Sequence, residues 1–152
     1  MRLLKMLAVV LAMSLSLFAA ESPFSGTWKL NLAKSKMTPP VPKSDVAVVD
    51  LDENGLKLNE DIVTDKGESL KISYEAKFDG KDYPVTGDPT ADTRSLKMVK
   101  PGHYVLANKK DGKVVVDGTV DFSADLKTRT LVTHATDASG KKMTATAVYE
   151  RQ

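Results

Sequence analysis

Five side chains of this 152-residue chain stand where they could hold a small molecule: Arg94, Arg129, Glu60, Tyr74 and Tyr104. Across Asp92–Val99, Arg94 shares two-residue parity with Leu96 and Met98, while Thr93, Ser95 and Lys97 take the other face. That parity aims the guanidinium at the interior, where it would grip an acidic head group through charge-assisted hydrogen bonds. The alternative is a rim ion pair with Asp92 or another acid. Arg129 shares parity with Leu131 and carries the same two readings. Glu60 shares parity with Leu56, Leu58 and Ile62, so its carboxylate also faces inward. Its simplest partner is Arg94 or Arg129; service as a lone base is the other reading. Tyr74 and Tyr104 either offer hydroxyls from the same wall or are ordinary core.

Catalytic constellations are missing from the sequence. With two histidines and no cysteine, His103 and His134 make a poor transition-metal set. No Gly-x-Ser-x-Gly elbow, His-Glu-x-x-His, phosphate loop or dinucleotide fingerprint occurs. The expectation is a non-enzyme with no cofactor and no metal. Asp50-Leu51-Asp52-Glu53-Asn54-Gly55, with Asp61 in twelfth place, has the oxygen spacing of a calcium loop. Its flanks are β-patterned where helices would be needed, so an acidic hairpin tip is expected instead.

Strands must position these residues. Leu70, Ile72, Tyr74, Ala76 and Phe78 alternate with polar neighbours, as do Trp28, Leu30 and Leu32 near the start and Met143, Ala145, Ala147 and Tyr149 near the end. Turn signals such as Asn54-Gly55, Asp111-Gly112 and Ser139-Gly140 recur about every ten residues. Nine or ten strands result, each with one dry face, and no amphipathic helix exists to cover it. The sheet is therefore expected to curl into an all-β antiparallel up-and-down barrel of about 8–10 strands. A two-sheet sandwich is the competing solution. Two segments depart from the meander: the proline-bearing Lys34–Lys43, with one helical turn available in Asn31–Met37, and the long Tyr83–Asp92, read as a loop.

Residues 1–20 read as a secretory signal peptide. Arg2 and Lys5 precede an apolar run to Phe18, and Ala19-Ala20 offers a cleavage site. The run is too short to favour a membrane span. Removing 20 of 152 residues leaves a domain of 132, residues 21–152, with 20 basic and 20 acidic side chains. A neutral balance removes the electrostatic case for nucleic acid. A periplasmic or secreted location is expected.

Gly26-x-Trp28 on the first strand and Arg151 on the last resemble the ends of lipocalins and related calycins, including exported bacterial lipocalin-like domains. The resemblance covers the residue-21-onward chain in architecture but only these residues in motif. It implies a barrel whose base is plugged by Trp28 with Arg151 stacked across it, so Gly26, Trp28 and Arg151 are expected to be structural. It also implies that an inward Arg such as Arg94 holds an acidic head group, as in fatty-acid-binding relatives.

Two functions from different classes follow. One is a non-catalytic binder of a small apolar or amphipathic ligand, with Gly118, Ala145 and Ala147 leaving interior volume. The other is an envelope protein-interaction module using the Lys34–Lys43 and Tyr83–Asp92 segments as rim loops to a protein partner.

Overall fold

Residues 21–152 are described in a computed structural model; the stretch read as an export signal lies outside the described residues. The alternating segments form ten strands: β1 (Gly26–Leu30), β2 (Ser44–Leu51), β3 (Gly55–Val63), β4 (Ser69–Lys77), β5 (Asp79–Thr86), β6 (Thr93–Lys100), β7 (His103–Lys110), β8 (Lys113–Phe122), β9 (Thr128–Thr136) and β10 (Lys142–Arg151). Each pairs antiparallel with the next, and β1 pairs with both β2 and β10, so the sheet closes on itself. The fold is an all-β, antiparallel up-and-down barrel rather than a sandwich. Closure gives every strand two neighbours and so leaves no terminal edge strand.

Loops after odd-numbered strands lie at one end, here the upper rim; those after even-numbered strands lie at the lower end with both ends of the described segment. Asp111 and Gly112 have φ of 49° and 73°, the mirror-image turn that matches the strands' own twist. At the β2–β3 tip, Asp52 Oδ1 accepts the N–H groups of Asn54 and Gly55 at 2.7 and 2.9 Å. The Asp50–Gly55 sequence is thus a hairpin tip, and Asp61 lies out on β3, bonded to Lys71.

The ladder is incomplete at one place. β4 and β5 are registered only at Ser73↔Thr86 and Tyr74↔Val85, whereas β3 and β4 match along their whole length. Pro84 brings no N–H to β5, and an irregularity separates Asp79 from Asp82. The lower halves of the two strands part, and an outer groove of about 500 Å³ lies there, lined by residues including Lys57, Glu75, Lys77 and Tyr83.

Three expectations change here. Tyr83–Thr86 belongs to β5, so the loop expected over Tyr83–Asp92 shrinks to residues 87–92. Leu32 leaves the strand for a short 3-10 turn, Leu32–Lys34, capped by Asn31, and is exposed. Gly118 leaves no hollow: a Cβ there would sit 2.1 Å from the Val132 carbonyl, so the missing side chain lets β9 approach β8 closely.

The core grades from bottom to top. Trp28, Leu51, Leu56, Tyr104 and Val120 are buried in the lower tier, where Phe122 packs on Phe24, Trp28 and Tyr104 at ring separations of 5.0, 5.2 and 6.2 Å. Tilted and edge-on contacts of this kind add to area burial. Inward residues nearer the upper rim, among them Ile62, Leu70, Val85, Thr133 and Ala145, are only half buried.

Candidate functional site

The lower end is built by the terminal residues. Trp28 pairs with Arg151 in register and is fully buried. The guanidinium carbon of Arg151 lies 4.4 Å from the indole centroid. Its nitrogens donate to three carbonyls: Nε to Leu126, Nη1 to Ser25 and Nη2 to Pro23, each at 2.7 Å. Gly26 is required by this arrangement. Its φ is 146°, and a Cβ would fall 2.6 Å from Arg151 Nη1. Ser25, also buried, exchanges hydrogen bonds with the Leu51 backbone. The three residues expected to be structural therefore form one closure.

Midway up the barrel a charged cluster replaces apolar packing. Asp45 heads β2 and shares its inward face with Ala47, Val49 and Leu51. Its Oδ2 accepts the Tyr149 hydroxyl at 2.6 Å. Glu60 lies opposite Ala47 on β3, one inward step from Asp45. The Arg129 guanidinium packs 5.0 Å from the Tyr149 ring centroid, and that of Arg94 4.7 Å from Tyr74. Arg94 Nε donates to Asn108 Oδ1 at 2.7 Å, and its Nη2 lies 3.5 Å from Asp88 Oδ2.

Burial shifts the acids and phenols of the cluster. Desolvation, with the nearby negative charge of Glu60, pushes the Asp45 carboxyl up to about 7. Burial raises Tyr149 well above the ordinary phenol value, helped by Asp45 and Glu60, so it remains a donor. Tyr74 is raised by burial, against the opposing pull of Arg94 and Arg129. Two atoms of the cluster lack a hydrogen-bond partner: Asp45 Oδ1 and Arg129 Nη1. A cavity of about 30 Å³, lined by Arg129, Tyr74, Tyr104 and apolar neighbours, adjoins Arg129 and fits a single water.

Four of the five sequence-derived candidates, Arg94, Arg129, Glu60 and Tyr74, thus converge. Tyr104 stands apart, packed on Phe78 at 5.0 Å in the lower tier. Arg94 has the acidic partner that its rim reading allowed, whereas Glu60 lacks the expected one. Arg94 meets Asp88 rather than Asp92, because Asp92 turns outward to Lys110 and the Asp111 N–H. Among the described residues, Glu60 forms no ion pair with either arginine. Met98, read as inward with Leu96, is 37% exposed at the lower end. Asp45 and Tyr149 were missing from the candidate set. Parity with Ala47, Val49 and Leu51 is the signal that marks Asp45 as inward.

The histidines serve locally: His103 Nδ1 lies 2.5 Å from Asp121 on the neighbouring strand, and His134 Nδ1 3.0 Å from Thr144 Oγ1. Among the described residues, no group of three or more His, Asp or Glu could hold a metal ion, and no helix is long and apolar enough to cross a membrane.

No family model matches the chain, and no curated protein matches it. Among solved structures it is similar to the siderocalin Ex-FABP, described as functioning through dual ligand specificities. The identity is 14%, over 86% of this chain and 75% of that one, with a TM-score of 0.39.

Proposed function

We propose that this protein is an exported, non-catalytic binder of a small amphipathic molecule, acting in the periplasm or outside the cell. The observation that carries this reading is Arg129, 6% exposed, with a guanidinium nitrogen facing no acceptor inside the barrel. A buried cationic donor without a partner is costly, and an acidic or carbonyl oxygen of a ligand, or a water standing in for it, supplies the missing acceptor. Arg94 lies nearer the rim. Its contact to Asp88 is long at 3.5 Å, so a ligand carboxylate can take the place of that loop acid. The half-buried Ile62, Leu70, Val85 and Ala145 offer an apolar collar for the rest of the molecule.

The enclosed space sets the location. Small-molecule sites measure about 300–1,000 Å³, and the cavity here is about 30 Å³. The seat in this reading is the open upper mouth, with the charged cluster as its floor. Native mass spectrometry of the protein as expressed, followed by titration with a panel of fatty acids, tests it. Binding weakened tenfold or more by Arg94→Ala supports the reading; no co-purified molecule and no binding across the panel defeats it.

The packed lower tier favours one second reading, an envelope interaction module. Residues 31–43 and 87–92 both belong to the upper rim. Capture of one envelope protein, lost when Pro89→Gly and Thr90→Gly are combined, would select it over ligand carriage.

A further inference from the structure

The side chain of Asp88, on the loop after β5, is only 7% exposed although that loop lies at the upper rim. It turns into the mouth and meets Arg94, whose guanidinium packs on Tyr74 and is tied through Nε to Asn108. That tie fixes the plane of the guanidinium and leaves its two Nη nitrogens as the fork that a carboxylate grips. Asp88 fills the fork poorly. Its Oδ1 is committed to the Thr90 N–H and hydroxyl at 2.8 and 2.7 Å, and its Oδ2 lies 3.5 Å from Nη2. We propose that Asp88 is a built-in occupant of the ligand's head-group seat, which makes it the residue that sets the mouth's selectivity for a carboxylate-ended amphiphile.

The loop holds Asp88 in place from both sides. Gly87 enters with φ of 81°, so close to β4 that a Cβ would fall 1.9 Å from the Lys71 carbonyl oxygen. At the exit, the Asp92 N–H donates to the Lys109 carbonyl at 2.8 Å, and the Asp92 carboxylate accepts from Lys110 and the Asp111 N–H. Ala91, just before it, is buried. Asp88 is thus the carboxylate that residues 87–92 bring to Arg94, and a tethered acid of this kind competes with any free one. A ligand carboxylate has both oxygens to offer and so displaces it. An uncharged ligand gains nothing from the fork and leaves the pair intact. This assignment rests on the binding reading above and adds the group that the ligand must carry.

Fluorescence titrations with dansylaminoundecanoic acid and its methyl ester, which share a tail and differ in charge, test the proposal on the intact protein. In Asp88→Asn the amide oxygen still accepts from Thr90 while the competing charge is gone. The acid should bind about fivefold tighter or more, and the ester should change by less than about twofold. In an Arg94→Gln background the same substitution should give a gain below about twofold, because there is no fork to compete for. An acid affinity unchanged or weakened by Asp88→Asn overturns the proposal. So does an equal gain for the ester, which would mean that the loop only obstructs the entrance. Should Asp88→Asn fail to fold, Asp88→Ser keeps an oxygen for Thr90 and takes its place. NMR of the Arg94 guanidinium in the ligand-free protein separates the two claims. Its signals should shift on Asp88→Asn, and unmoved signals overturn the proposal whether or not a probe binds. Shifted signals with no binding of either probe to either protein defeat the ligand reading and the selectivity with it, leaving the Asp88–Arg94 pair as a structural tie.

Discussion

Replacing Arg151 with methionine keeps most of the stem's volume while deleting the fork that joins three chain segments. The Nε and Nη1 bonds end on part-buried carbonyls of Leu126 and Ser25; the Nη2 bond to Pro23 is exposed and contributes little. Bonds from a charged donor contribute ~1.5–3 kcal/mol each, so two at the lower end give about 3 kcal/mol. The indole contact adds ~0.5–1 kcal/mol at a partly exposed site. Arg151→Met should therefore cost about 3–4 kcal/mol, a large share of the ~5–15 kcal/mol typical of a whole domain. Urea denaturation followed by Trp28 fluorescence reads the loss as a lower midpoint at unchanged slope. Arg151→Lys supplies a charge without the planar fork and should recover at most half of it, about 2 kcal/mol. A loss below ~1 kcal/mol for Arg151→Met, or full stability in Arg151→Lys, would show that the fork does not hold the ends together.

Trp28→Ala should cost ~3–5 kcal/mol in the same urea titration, as for other buried aromatics. Gly26→Ala forces a side chain into a backbone region that L residues avoid and against Arg151 Nη1, so a loss of ~1–3 kcal/mol is expected. Combined with Arg151→Met it should be clearly less than additive, because the colliding group is gone. For pH, the folded Asp45 holds its proton to about 7 while the unfolded chain releases it near 3.8. That contribution is complete below the unfolded value and drains away as pH rises through 7, a change of roughly 4 kcal/mol. Asp45→Asn should flatten the neutral limb of a stability-versus-pH curve measured by chemical denaturation. The lowered carboxyls of Asp79, Asp92, Asp125, Asp137 and Glu150, held mainly by hydrogen bonds, act oppositely: their support is present above the ordinary carboxylate range and is lost on acidification. A mildly acidic optimum is expected.

Period-two alternation and Asx-Gly turns made the barrel legible, since both are local properties that closure then exploits. The Trp28–Arg151 closure was legible through the resemblance of Gly26-x-Trp28 and Arg151 to lipocalin ends, which the parity of Arg151 with Tyr149 allowed. Parity also brought Arg94, Arg129, Glu60 and Tyr74 inside. It could not say which inward groups meet, because that depends on strand tilt and side-chain reach. The Tyr149 hydroxyl finds Asp45 across 104 residues of sequence. Arg94 finds Asp88 because residues 87–92 fold back over the rim, whereas Asp92, nearer in sequence, is drawn outward by Lys110. Gly118 was misjudged for a similar reason: a small residue looks the same in sequence whether it leaves space or admits a neighbouring backbone.

Because β1 bonds to β10, the ladder that seals the cylinder joins residues far apart in sequence, while every other neighbouring pair of strands is joined through a local connection. The seam therefore carries the largest loop-closure cost of the fold, and contacts across it are the ones expected to set the folding rate.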